Sequence, residues 1–410
     1  MQDTKETILV IESKELCYQS SSYFLQAIGR ELVNAGIPVE YFKFESIEKQ
    51  EEQIIGYIGK RYRAIIDMNS TLALIVCDEQ KDYLINLIHA PFYNIIVDHP
   101  MHMQEKLSVP LNNYHIICVD SYHAAYINKR YSHIKEIIVM HYAGMASNRI
   151  LEVEKDYSYD RFRKDYEQRP YSVLFPATYI PVSYYKEKLE VENPRYVTIA
   201  DEMLQIIESS EYITFEEAFY QVVKQTELLN YKVMEGHITK RLEIRLMDRY
   251  IRACMREQAL KEMGKADMDI HLLGANWSLY PYKNHKNFVI HNAVTYEEQL
   301  NVMADSKVVF NMQPLFLEGP HDRVMNGMRN GAVVMTDNCH YIQKRFENSE
   351  NIISYKRCEL ESIPDSLNNY FSNKDLLSRI AWNGYQRTKK GHTNKNRIQE
   401  FFTAYKNPLN

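Results

Sequence analysis

The six cysteines, at 17, 77, 118, 254, 339 and 358, form no C-x-x-C pair and no other close grouping. Scattered thiols, several inside apolar runs, argue against a disulfide framework and suit a reducing compartment, so the expected setting is the cytoplasm. No apolar run approaches the ~20 residues that a membrane span needs. The polar opening from Gln2 to Glu6 lacks the basic-then-apolar layout of a signal peptide. An excess of one charge is missing too: a formal net charge of -5 with a pI near 6.3 provides no global field to gather nucleic acid, so any anion site has to be local. There is no Walker lysine loop, no G-x-S-x-G elbow, and no G-x-G-x-x-G after the first apolar run, where Glu12-Ser-Lys-Glu stands instead. Hydrolase and dehydrogenase readings thereby lose their usual support.

What is present is enough hydrophobic residue, 45% of 410, for two or three globular domains. Thr7 to Ser13, the helical spacing of Phe24, Ile28 and Leu32 within Ser20 to Asn34, and Val39 to Phe44 read as β-α-β. Apolar runs at 64–67, 93–98, 115–120 and 136–142 follow at helix-length intervals, as a doubly wound parallel sheet requires. Leu72 to Cys77 fits either strand or helix. The polar stretch from Ala143 to Arg169 interrupts the alternation and is expected to hold the hinge. A second series opens with Tyr171 to Pro176, gives way to an all-helical Pro181 to Met263, and resumes at 270–274, 288–291, 307–312, 332–336 and 352–355, with helices at 376–388 and 396–405. The expected fold is α/β, two Rossmann-like doubly wound domains facing across a cleft. Residues 1–165 form the first, 166–390 the second with a helical insertion at about 181–265, and 391–410 a C-terminal helix.

The stretch from Asn311 to Gly331 organises the second domain, because it joins two apolar runs through a loop and a helix. Pro320 suits a first helical position and Gly331 the close. Ligands of open parallel sheets bind beyond the carboxyl ends of the strands, and this edge carries Glu318, His321 and Arg323 beside free helix amides. A basic side chain in a first helical turn opposes the dipole and calls for an anion, either a neighbouring carboxylate such as Asp322 or Glu318 or a bound phosphate.

With its neighbours, this stretch resembles the GT-B glycosyltransferases, within them the group 1 branch that includes the CgeB-like spore maturation proteins. The resemblance rests on Leu272-Leu-Gly-Ala-Asn-Trp277, Ala304-Asp-Ser-Lys-Val-Val-Phe-Asn311, Gly319-Pro-His-Asp-Arg323, Gly331-Ala-Val-Val-Met-Thr-Asp337, Trp382-Asn-Gly-Tyr with His392-Thr393, and the entry strand Val173-Leu-Phe-Pro-Ala-Thr-Tyr. It implies transfer of a sugar from a nucleoside diphosphate sugar, a UDP-sugar first, to an unknown acceptor, with retained configuration; no metal or other cofactor is expected, since the one Asp-x-Asp precedes its strand. The implied donor-side residues are Gly319, His321, Arg323, Asn326, Trp277, Asn311 and Asp337. Glu318 stands where the branch has the first of two spaced glutamates, and Asn326 replaces the second, which in relatives meets the ribose. A nucleotide-sugar epimerase or hydrolase on the same scaffold, with Glu318 at the sugar carbon, and a silent nucleotide-binding partner protein are the alternatives.

On the acceptor side, Asp98-His-Pro-Met-His102 ends a strand of the first sheet. Asp98 and His99 join Glu318 as the catalytic candidates, with His102, His141 and Gly144 as further cleft residues. A metal on His99 and His102 would want a helix, which Pro100 disfavours. Asp267-Met-Asp269 resembles a metal-binding Asp-x-Asp but precedes its strand, at the opposite end from the expected site. Arg241, Arg245, Arg249, Arg252 and Arg256 recur at spacings of four and three on one face of a helix expected from His237. That face is either a peripheral surface for an anionic lipid or acceptor, or a solvated one neutralised by Glu243, Asp248 and Glu257.

Overall fold

A computed structural model describes residues 6–13, 20–46, 49–225 and 241–404. The chain divides into two compact units, Met1–His141 with Asn394–Asn410, and Tyr142–Thr393. The expected start of the arginine-bearing helix at His237 lies outside the described residues.

The first unit is built on β1 (Ile8–Ser13), β2 (Val39–Phe44), β3 (Ala64–Met68), β6 (Phe92–Ile96), β7 (Tyr114–Cys118) and β8 (Glu136–Val139), all parallel in the order β2-β1-β3-β6-β7-β8. β3 and β6 are buried on both faces, which is why they read as continuous apolar runs. The strand order reverses between β1 and β3, so the switch point of this sheet lies there. Helix Ser20–Asn34 packs Leu25, Ile28 and Leu32 onto it, and Ile398 and Phe401 of helix Asn394–Ala404 complete the same core. The ambiguous Leu72 to Cys77 is a 3-10 turn, Leu72–Leu74, leading into a small antiparallel hairpin of β4 (Val76–Cys77) and β5 (Asp82–Tyr83).

In the second unit β9 (Tyr171–Pro176), β10 (Ile270–Leu273), β11 (Phe288–His291), β12 (Ser306–Asn311), β13 (Val333–Asp337) and β14 (Ile353–Tyr355) are parallel in the order β11-β10-β9-β12-β13-β14. The order turns back between β9 and β12. Val173, Phe175, Leu272, Phe310 and Met335 lie at the centre of its core. Between β9 and β10 the chain makes helices Val182–Glu192, Arg195–Glu208, Phe215–Gln225 and Arg241–Met263.

The polar stretch 143–169 folds within this unit as helices Asn148–Val153 and Tyr159–Glu167. Its charges conceal two large anchors one turn apart, Phe162 and Tyr166, both fully enclosed in the core. Buried Arg169 then fixes its end: Nη1 donates to the carbonyls of Ser306 and Gly331 at 2.8 Å each. A segment so anchored is part of the domain.

Candidate functional site

At the β9/β12 switch point the chain leaves β12 at Asn311 and enters helix Asp322–Arg329 through a loop with little freedom. The Gln313 amide donates to Asp337 Oδ1 at 2.6 Å, and Gln313 Oε1 accepts from the His321 amide at 2.8 Å. Leu315 within this loop takes a φ of 62°, costly for a branched side chain and held by full burial. The helix starts later than Pro320 suggests: His321 is its N-cap, extended at φ -72° and ψ 148°, with Nδ1 3.2 Å from the Arg323 amide. Gly331 follows the last residues at φ +73°, the left-handed position expected of it.

His321 Nδ1 also lies 2.7 Å from Asp322 Oδ1. The two contacts demand opposite states, since the cap needs a bare nitrogen and the ion pair a protonated one. Burial lowers the pKa of the ring. Burial therefore favours the neutral ring, and which nitrogen holds its hydrogen follows from which of the two contacts prevails.

Arg323 is half-buried, and its Nη1 donates to Asn311 Oδ1 at 2.7 Å. Asn311 is itself fully buried, and its Nδ2 donates to Thr336 Oγ1 at 2.9 Å. Beside Arg323 stands a second guanidinium: Arg256 Nη1 donates to the Thr178 carbonyl, just past β9, at 2.6 Å. Both lie near one ring, Arg323 5.8 and Arg256 5.9 Å from the centroid of Phe175. Burial first, then the charges of Arg323 and Arg252, hold Arg256 down to about 10. Among the described residues neither Arg256 nor Arg323 forms an ion pair with a carboxylate. Two cations, the His321 ring and the helix amides therefore converge on one edge, an arrangement that stabilises an anion.

Glu318 lies at the same edge but is already engaged, with Lys344 Nζ at 2.8 and 3.0 Å from its two oxygens and His340 Nδ1 at 3.2 Å. The ring of Tyr212, from the helical insertion, stacks on His340 with centroids 4.8 Å apart. Gly319, next in the chain, is buried. Asp337 is buried at the end of β13, where loss of solvent pushes its carboxyl up to about 6 against the pull of Arg357, and its oxygen shapes the loop through the Gln313 amide.

Three expected contacts lie elsewhere. Asn326 is 0% exposed: Oδ1 accepts from the Met145 amide at 2.9 Å and Nδ2 donates to Tyr296 Oη at 2.7 Å, so it ties helix to loop below the edge instead of facing a ribose. Trp277 is 1% exposed, stacks on Tyr179, and donates Nε1–H to the Ala177 carbonyl at 2.7 Å. Gly144, expected at the edge of the first sheet, is packed in the second unit, where a Cβ would come within 2.7 Å of Arg329 Cβ, the Met325 carbonyl and Thr388 Cγ2.

In the first unit, His99 is the cap of the short turn Pro100–His102, its Nδ1 3.2 Å from the Met101 amide. It sits in a buried aromatic group, 4.8 Å from the ring of His123 and 5.9 Å from that of His102. Burial holds it well below its ordinary pKa and therefore neutral. Asp98 Oδ2 accepts from Asn69 Nδ2 at 2.9 Å, and His141 Nδ1 lies 2.9 Å from the Val119 carbonyl. Among the described residues no three His, Cys, Asp or Glu side chains group as metal ligands, and no helix is long and apolar enough to cross a membrane.

Arg256 was the residue to find. It belongs to the arginine series that spacing alone revealed, but nothing local said that this rung, bonded to Thr178, meets the edge of the sheet.

Residues 252–403 match the glycosyl transferase-like family. No curated protein matches the chain by sequence. Among solved structures, HepE of Anabaena in complex with UDP and glucose superposes with a TM-score of 0.55 at 12% identity, covering 98% of this chain and 99% of that one. Sucrose-phosphate synthase of Thermosynechococcus elongatus gives 0.55 at 8% identity, covering 98% of each chain. A glycosyltransferase of Rickettsia africae gives 0.50 at 11% identity, again covering 98% of each. The chain has the GT-B fold, two parallel Rossmann-like sheets, and the segment that carries the arginine edge is glycosyl transferase-like.

Proposed function

We propose that the chain is a glycosyltransferase whose second unit holds the diphosphate of a nucleotide sugar on Arg256, Arg323, His321 and the first amides of helix Asp322–Arg329. The observation that carries the reading is the pair of guanidiniums near the ring of Phe175, neither of which has an ion pair with a carboxylate among the described residues. A leaving diphosphate gains negative charge as the glycosidic bond breaks, and preorganised cations at that position stabilise the transition state more than the ground state. This chemistry needs no divalent metal, and Asp267 and Asp269 lie before β10, at the other end of the strands. HepE was solved with UDP, so UDP is the first nucleotide to test. The CgeB-like branch, retention of configuration and a cytoplasmic setting belong to the same reading; the five described cysteines are free thiols. The first unit supplies the acceptor side, with Asp98 and His99 as its candidates.

The test compares UDP with uridine by calorimetry. Arg323→Ala is expected to weaken UDP by about ten- to a hundredfold, since a hydrogen bond to a charged group contributes roughly 1.5–3 kcal/mol, and to leave the weak binding of uridine nearly unchanged. Arg323→Lys recovers only part, because an ammonium lacks the planar fork. EDTA should change neither titration. Equal UDP affinity of wild type and Arg323→Ala would remove the diphosphate from this helix and the transferase reading with it.

A further inference from the structure

Helix Arg241–Met263 runs antiparallel to the strands. Just past its carboxyl end, the Gly264 carbonyl accepts from Asn287 Nδ2 at 3.0 Å, next to the start of β11, so this end lies at the amino edge of the sheet. Arg256, seven residues before Met263, is level with the carboxyl end of β9 through its bond to the Thr178 carbonyl. Arg252 and Arg249 precede Arg256 by four and seven residues, so they stand about 6 and about 10 Å farther out, beyond the edge where ligands of such sheets bind. The three share a helix face, and all of them act on the buried hydroxyl of Tyr185. Arg252 also acts on His321.

Counter-charge on this face is sparse. Asp248 pairs with Arg252 at 2.6 Å. Glu257, expected to neutralise the series, instead accepts from Tyr179 Oη at 2.6 Å. Arg249 has no ion pair among the described residues. With Arg323, whose nearest counter-charge is Asp322, four guanidiniums stand on one side of the site, and among the described residues only Arg252 forms an ion pair. A diphosphate on Arg256 and Arg323 still leaves Arg249 uncompensated beside Arg252, whose charge Asp248 meets, and like charges repel.

Resting on that diphosphate reading, we propose that Arg249 and Arg252 form a second anion subsite, for a phosphate or carboxylate borne by the acceptor or by the transferred sugar about 10 Å from the diphosphate. The guanidinium fork suits either group.

The experiment titrates inorganic phosphate into the full chain saturated with UDP, and in parallel compares UDP-glucose with UDP-glucuronate. Variants are Arg249→Gln, and Arg252→Gln combined with Asp248→Asn so that no buried carboxylate is left alone; thermal melting confirms their fold. Both variants should bind UDP within about threefold of wild type. If the acceptor brings the anion, phosphate binding to the UDP complex falls at least tenfold in each variant while the two donors bind alike. If the sugar brings it, wild type prefers UDP-glucuronate at least tenfold and the variants lose that preference. Phosphate that binds wild type and variants equally, or not at all, together with no preference between the donors, overturns the subsite. Should UDP fail to bind wild type, the diphosphate reading falls, and phosphate titrated into the free chain still decides the subsite by the same comparison of variants.

Discussion

Asn311 meets Arg323 with an amide oxygen where a carboxylate would have closed an ion pair. That choice positions the guanidinium and leaves its charge for a ligand. Asn311→Asp should therefore lower UDP affinity about tenfold, the worth of one charge-assisted contact, while the protein stays folded; calorimetry beside a thermal melt checks both. Asp337 makes a prediction about pH. Its carboxyl sits at about 6 in the folded chain, above the ~3.9 of an unfolded aspartate. Between those values the folded state keeps a proton that the unfolded state releases, so the stabilisation is complete below about pH 4 and is lost as pH rises through 6. The loss is at most about 3 kcal/mol for a shift of this size. Asp337→Asn should remove it, so the variant gains on wild type in urea midpoint between pH 4.5 and pH 7. At this scale the sequence was legible where a residue's position in its element decides its role, as for Arg323 in a first helical turn. It was not legible where burial decides. Asn326 and Trp277 occupy family-like positions but are enclosed by Tyr296, Met145 and Tyr179, contacts that sequence spacing does not disclose.

Elements were more legible than residues, because a buried parallel strand requires a continuous apolar run and the intervals between runs require helices. All twelve strands of the two large sheets answer to such runs. The segment 143–169 misled because its surface charges outnumber Phe162 and Tyr166, although those two decide its packing. The arginine series was read correctly as one helix face, but which end of that helix meets the sheet is a matter of topology. One close approach between elements sets a further expectation. Gly274, after β10, has a φ of +144°, and a Cβ there would lie 2.3 Å from the Ala177 carbonyl, beside the Thr178 amide. Gly274→Ala has to push apart the loops that follow β9 and β10, at a cost of about 1–3 kcal/mol or more. A fall in thermal midpoint together with weaker UDP binding is the expected result, since Thr178 anchors Arg256.

For the whole molecule, two domains on parallel sheets were legible from the repeated alternation, but the destination of the C-terminal helix was not, since an amphipathic helix does not declare which sheet it covers. Ile398 and Phe401 pack with Leu25, Ile28 and Leu32 in the first unit. Deleting residues 394–410 removes both from that core, a loss of roughly 1.5–3 kcal/mol for each buried side chain. Proteolysis should then cut within residues 20–141 much faster than in the full chain, while fragments of 142–393 persist. Because the second unit is thereby inserted in the sequence between two segments of the first, order of synthesis matters. A ribosome delivers residues 142–393 before Ile398 and Phe401 exist, so the second unit can close its own core while the first still lacks a side of its own. The unit whose strands emerge earlier is the one that finishes later, and until Ile398 and Phe401 are released its exposed apolar face is the part of the nascent chain that a chaperone would hold.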